Sequence, residues 1–137
     1  MVGFNREVDY AIRIMHCLSK ENGNRIYAGE IAKRTGVTLR FSLKILGRLV
    51  QNGLVHSIKG VGGGYILARP RASITVLDTI KAVLGNINIS PCCDPTYDCG
   101  RPEEDACVYH ELFCDINNRV IKQLGEVNFA MTAGDKD

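Results

Sequence analysis

Over residues 6–18 the apolar side chains Val8, Ala11, Ile12, Met15 and Leu18 recur every three or four positions, the spacing of a helix with one apolar stripe. Asn22-Gly23-Asn24 breaks the period, and Ile26-Tyr27 is long enough only for an extended lead-in. Residues 28–35 predict a short second helix with Ile31 and Ala32 inward, ended by Gly36, which can take the left-handed turn that two closely joined helices need. Thr38 is placed to cap a third helix running to about Gln51, with Leu39, Leu43, Leu46, Leu49 and Val50 read as core-facing, and Asn52-Gly53 stops it. Two helices joined by a short Gly-containing turn predict a helix-turn-helix. Residues 54–58 and 65–67 are short β-prone runs around Lys59-Gly60-Val61-Gly62-Gly63-Gly64, which predicts a hairpin with a glycine-rich tip. A helix-turn-helix followed by such a hairpin is a winged helix.

Thr75-Val-Leu-Asp78 has the form of a capping box opening a helix through Leu84, and Gly85 ends it. Residues 86–102 hold three of the four prolines and form a long loop. Glu103-Glu104-Asp105 suits the first turn of a last helix, whose stripe of Val108, Leu112, Ile116, Val120, Leu124 and Val127 spans roughly five turns. So long a stripe exceeds what a small domain can cover, which predicts a two-fold dimer.

Length sharpens this little: 137 residues suit one compact domain, or a small domain with a helical appendage. Charge sharpens it more. Residues 1–71 hold 12 Lys/Arg against 4 Asp/Glu, hence +8, whereas residues 72–137 hold 5 against 11, hence −6. A basic front half and an acidic back half point to nucleic-acid contact by the front. Arg6, Glu7, Asp9 and Arg13 interrupt the apolar run that a secretory signal requires, and no uncharged apolar run reaches membrane-spanning length. The expected location is the reducing cytoplasm. Enzymatic activity is not expected, because there is no nucleophile–base motif and the segment from Lys59 to Gly64 lacks the Gly-Lys-Ser/Thr ending of a phosphate loop.

Arg40, Lys44 and Arg48 fall at i, i+4 and i+8 on the third helix, able to reach phosphates or guanine edges, with Thr38 and Phe41 near bases at the helix start. Lys59 stands at the base of a tip narrow enough for a minor groove, with Gly62 and Gly63 in the tip itself and Arg69 and Arg71 on the return. Five of six cysteines lie within residues 92–114. Cys93, Cys99 and Cys107 are spaced C-x5-C-x7-C with His110 three residues on, a soft donor set suited to an iron–sulfur cluster or zinc, and Cys92 is an alternative first ligand. No C-x2-C knuckle supports zinc. Cys17 and Cys114 read as packing residues, His16 and His56 as surface ones, and Asp9 as an i+4 partner of Arg13.

The runs 52–55, 59–70, 74–78 and Asp9-Tyr10-Ala11-Ile12-Arg13 closely resemble the Rrf-two family of bacterial winged-helix transcription regulators over about residues 5–125. The resemblance implies a homodimer that binds a partly palindromic double-stranded DNA operator and acts chiefly as a repressor. It maps DNA contacts to Thr38, Arg40, Phe41 and Lys44 and to Lys59 with its glycine neighbours. Arg40 and Leu43 differ from the iron–sulfur regulator branch, so its operator sequence does not transfer. The Cys107-x2-His110 ending resembles that branch's ligands for a [2Fe-2S] cluster, whereas Asp9 matches the carboxylate that the nitric-oxide-sensing branch supplies from the opposite subunit to a [4Fe-4S] cluster. The [2Fe-2S] form is preferred.

The chain is thus expected to be mainly α with a small β-wing, a winged helix-turn-helix with a long C-terminal dimerisation helix. Residues 1–85 would form the DNA-binding domain, 86–106 a cysteine-rich cofactor loop, and 107–137 the dimerisation helix and tail. The expected function is a DNA-binding regulator controlled by an iron–sulfur cluster that senses cluster status, redox or nitric oxide. The alternatives are a cluster-free thiol switch, in which Cys92, Cys93 or Cys99 forms a disulfide, and a zinc-stabilised interaction domain.

Overall fold

The computed structural model describes residues 4–21, 23–101 and 107–134. Asn5 starts the first helix, α1 (Arg6–Lys20), by accepting the Val8 N–H on its side-chain oxygen at 3.0 Å. This helix is the centre of the fold and packs against four others, α2 (Ala28–Thr35), α3 (Leu39–Gln51), α4 (Val76–Leu84) and α6 (Phe129–Ala133). Val8, Ala11, Met15 and Leu18 are buried as their spacing requires, joined by Ile14 and Cys17, while Ile12 is only partly covered.

Gly36 takes a left-handed conformation between α2 and α3, and Thr38 caps α3 by accepting the Phe41 N–H at 3.3 Å. The rotation of α3 differs from the sequence expectation. Ser42, Ile45, Leu46 and Leu49 face the core, whereas Leu39 and Leu43 are 49% and 45% exposed. Two adjacent apolar stripes share this helix, and the small Ser42 is fully buried in the one that faces the core. Strands β1 (Val55–Ile58) and β2 (Gly64–Leu67) pair antiparallel, with Val55 opposite Leu67 and Ile58 opposite Gly64. The lead-in at Ile26 adds a bridge to Tyr65, donating at 2.9 Å and accepting at 2.8 Å, so the wing is tied to the segment before α2.

Thr75 and Asp78 form the expected capping box of α4, each side chain accepting the other's backbone N–H at 3.0 Å. A 3-10 turn at Pro91–Cys93 interrupts the loop that follows. The last long helix, α5 (Val108–Gly125), has Cys107 at its cap; the acidic residues expected in its first turn lie outside the described residues. It stops before Val127, contrary to the continuous stripe read from sequence. Asn128 instead bridges Thr75, the Val76 N–H donates to the Val127 carbonyl at 2.8 Å, and α6 turns back to bury Phe129, 1% exposed, in the core. The outer part of the stripe stays uncovered: Val108, Leu112 and Ile116 are exposed, while Ile121 and Leu124 pack on the chain's own core. Among the described residues no helix is long and apolar enough to cross a membrane.

Candidate functional site

Two surfaces carry the chemistry anticipated above. On α3, Arg40 and Lys44 are exposed together with Leu39, Phe41 and Leu43, so this face is mixed apolar and cationic. Phe41 rests its ring on Tyr10 of α1, centroids 6.1 Å apart, which steadies the start of α3 while leaving one side of the ring outward. Glu7, which no sequence spacing ties to α3, accepts from Lys44 at 2.8 Å and from Arg48 at 2.9 Å. The Lys44 ammonium and the neighbouring Arg48 charge hold the Glu7 carboxyl below its ordinary range. Arg48 also donates to the Val83 carbonyl at 3.1 Å, so it joins α3 to α1 and α4 rather than standing free at the surface as its i+8 spacing suggested.

Other arginines of the basic half are similarly committed. Arg34 pairs with Glu21 and Glu30, Arg69 with Asp78 at 3.6 Å, and Arg71 donates to the Ser19 carbonyl at 3.1 Å. Among the described residues of this half Arg25, Arg40 and Lys59 have no ion-pair partner, as is also true of Arg6, Lys20 and Lys33. Val61 at the wing tip is fully exposed. Below it, a side chain at Gly63 would collide with the Ile58 and Gly60 carbonyls, 2.4 and 2.9 Å from the would-be Cβ, so this tight tip requires glycine. Gly62 has φ +76°, and the Arg25 guanidinium lies over it where a Cβ would sit. No sequence spacing marks Arg25 as a wing residue; the Ile26 bridge puts it there.

The second surface is a cleft of about 320 Å³ between the 3-10 turn and α5. Cys92, Cys99, Cys107 and His110 line it, with Arg101, Tyr97, Tyr109 and Phe113 among the other walls. Cys93 is not on the cleft: adjacent in sequence, it points the other way, and its sulfur lies 3.9 Å from that of Cys114. The four cleft donors share a wall without converging, since among the described residues no three His, Cys, Asp or Glu side chains lie close enough to hold one ion. Their donor chemistry fits a thiolate-held centre. At the N-terminus of α5 the backbone N–H groups of His110 and Tyr109, with the Arg101 guanidinium donating at 3.1 Å, hold the Cys107 thiol below its ordinary value, toward the thiolate that a metal takes. Burial and the neighbouring Cys114 push the Cys93 thiol up.

Asn117, another residue without a sequence signal, is buried on the inner side of α5 and accepts the Ile89 N–H at 2.9 Å, pinning the loop to the helix. His110 has its ring nitrogens 3.6 and 3.8 Å from the Cys114 sulfur. Asp9 lies on α1 in an ion pair with Arg13 at 2.9 Å, and Cys17 is buried.

Comparison with known proteins places this geometry in context. A profile described as the Rrf2 iron-dependent transcriptional regulator matches residues 4–135. The putative HTH-type transcriptional regulator ORF2 of Azotobacter vinelandii is 31% identical over 88% of this chain and 73% of that protein. The HTH-type transcriptional regulator IscR of Xenorhabdus nematophila is 33% identical over 72% of this chain, but only 58% of its own length is spanned. Among solved structures, CymR (YrzC), the global cysteine regulator of B. subtilis, is similar with a TM-score of 0.80 at 25% identity over the whole of both chains. IscR of T. potens is similar in fold, with a TM-score of 0.77 at 23% identity over 96% of this chain and 85% of that one.

Proposed function

The chain belongs to the Rrf2 family of winged-helix transcriptional regulators and is a regulator rather than an enzyme, and from that premise we propose that it binds an operator as a homodimer under control of an iron–sulfur cluster held in the α5 cleft. Helix α3 enters the major groove, with Arg40 and Lys44 toward phosphates and guanine edges and Thr38, Leu39, Phe41 and Leu43 toward bases and thymine methyls. Exposure of Leu39 and Leu43 beside Arg40 supports this, because apolar side chains left outside a core suit methyl contacts. The wing, with Lys59, Gly62 and Gly63, follows the minor groove. Arg48 acts from behind by holding α3 in place.

Cys92, Cys99, Cys107 and His110 would hold the cluster, of the [2Fe-2S] form by preference. When bound, it supplies a redox-active centre whose charge changes on oxidation or loss. Cys107 enters as thiolate, and Arg101 offsets part of the negative charge that the thiolates bring. Asn117 keeps the loop from which Cys92 extends against the inner side of α5, whose outer side carries the exposed apolar residues. Changes in the loop thereby reach the dimer helix, and with it the separation of two recognition helices that must match one DNA turn. The observation that carries this reading is that three thiols and an imidazole line one cleft at the cap of α5.

Anaerobic purification from iron-replete cells, with iron and sulfide analysis, tests it. A coloured protein whose iron is lost in Cys92→Ser and Cys107→Ser but kept in Cys93→Ser is expected. A colourless, iron-free wild type overturns the cluster, and iron lost in Cys93→Ser but kept in Cys92→Ser overturns the ligand set.

A further inference from the structure

Cys93 and Cys114 are free, half-buried thiols from different elements, the 3-10 turn and the second turn of α5, with sulfurs 3.9 Å apart. Contacts that involve neither side chain set their approach. The Asn117 oxygen holds the Ile89 N–H at 2.9 Å, one turn along α5 from Cys114. The turn carries its own bonds, from the Cys93 N–H to the Ser90 carbonyl at 3.0 Å and from the Asp94 N–H to the Pro91 carbonyl at 3.1 Å. Neither residue is among those that line the cleft with Cys92, Cys99 and Cys107. We propose that Cys93 and Cys114 are a disulfide-forming pair, distinct from the cleft thiols although the Cys114 sulfur also lies 3.6 Å from the ring of the cleft donor His110, and oxidised by hydrogen peroxide. The inference goes beyond the cluster reading and stands without it.

A disulfide bond is about 2.05 Å long, so the sulfurs must close by roughly 1.9 Å, within reach of side-chain rotation. The first thiol, as thiolate, attacks peroxide; an S–O bond forms as the O–O bond breaks, and one oxygen leaves as water, leaving a sulfenic acid. The second thiol attacks that sulfur; the S–S bond forms as the S–O bond breaks, and the oxygen leaves as a second water. Two thiols have lost two hydrogens and peroxide has become two waters. The bridge encloses residues 94–113, the segment that bears Cys99, Cys107 and His110, and ties its two ends together. The cleft donors are then kept near one another when nothing is bound to them.

Peptide mapping of the full chain tests this after peroxide treatment, capping of remaining thiols with iodoacetamide, and cutting after Glu104 and Glu111, which puts Cys114 in its own peptide. The expected product is a linked pair of peptides, two hydrogens lighter than the sum, with fragmentation placing the bond at Cys93. Cys92→Ser should form the same link. Cys114→Ser should abolish it, leave Cys93 capped and retain the wild-type iron content. A link from Cys114 to Cys92, Cys99 or Cys107, or both thiols still capped when other cysteines have oxidised, overturns the pair. Loss of iron in Cys114→Ser overturns its separation from the cleft donors, whereas loss of iron in Cys92→Ser bears only on the cluster reading. Wild-type mapping needs no variant to fold.

Discussion

Gly62 illustrates how much one residue can carry. Its φ of +76° is a conformation that side-chain-bearing residues rarely adopt, and the Arg25 guanidinium nitrogen lies 2.7 Å from where a Cβ would stand. A methyl group there must therefore strain the tip and push aside the arginine that rests on it. Gly62→Ala is expected to fold, because the tip is exposed and remote from the core, yet to weaken operator binding by roughly tenfold, on the scale of about 1–3 kcal/mol for one well-placed contact. Arg25→Ala should weaken binding too and lower the slope of log affinity against log salt by about 1. Fluorescence anisotropy over a salt series measures both; an unchanged slope in Arg25→Ala removes that residue from the DNA surface. The same scale explains why spacing, which favours Cys93 for its C-x5-C interval with Cys92 as the alternative, does not say which of the two lines the cleft. Neighbours in a 3-10 turn point to different sides, and which side meets the cleft depends on how Asn117 docks the loop, a contact 28 residues away in sequence.

At the scale of elements, Glu7 is the joint between α1 and α3. Its folded-state carboxyl titrates below the ordinary value of 4.5, chiefly through the Lys44 hydrogen bond. A depressed carboxyl favours the folded state above its unfolded value, and that contribution disappears as pH falls through the lower folded value. Glu7→Gln is therefore expected to lose about 1 kcal/mol or less at pH 7, the range of a partly exposed ion pair. The wild-type advantage should vanish in acid. Urea melts of both proteins at pH 7 and below pH 4 check this, and a constant difference across that range assigns the loss to packing instead. The helix-turn-helix, wing and capping box were legible because each rests on local rules: a 3.6-residue period, glycine at a turn, Thr and Asp three apart. The facing of α3 was not, since Leu39, Leu43, Leu46 and Leu49 make one stripe by spacing, and tertiary packing kept Leu46 and Leu49 inside but turned Ser42 and Ile45 inward in place of Leu39 and Leu43. Helix α6 was hidden for a similar reason: Val127 keeps the period of α5, and the break comes from the pairing of Asn128 with Thr75, a partner far away in the chain.

At the scale of the whole molecule, the division of charge between a +8 front and a −6 back follows function. Three cations without an ion-pair partner, Arg40, Lys59 and Arg25, stand on α3, on the wing and beside it, whereas the acidic half contains the cysteine cleft and the exposed face of α5. That face lies open in the single chain. Val108 and Leu112 are 71% and 49% exposed, with Tyr109, Phe113 and Ile116 beside them, while Cys107, His110, Cys114 and Asn117 occupy the opposite side. A second copy of α5 would cover Val108, Leu112 and Ile116, would meet the cleft at its Tyr109 and Phe113 walls, and would set two recognition helices at a fixed spacing. Leu112→Arg puts a charge in the middle of this face but touches nothing the protomer needs for folding. Sedimentation should show a dimer for the wild type and a monomer of unchanged melting temperature for the variant. Affinity for a two-half-site operator should fall by about 10²-fold, because the second half-site no longer binds as part of one molecule, while affinity for a single half-site stays level. A variant that remains dimeric would move the two-fold seam elsewhere, and equal losses on both DNAs would point to damage in the winged helix rather than to the loss of a partner.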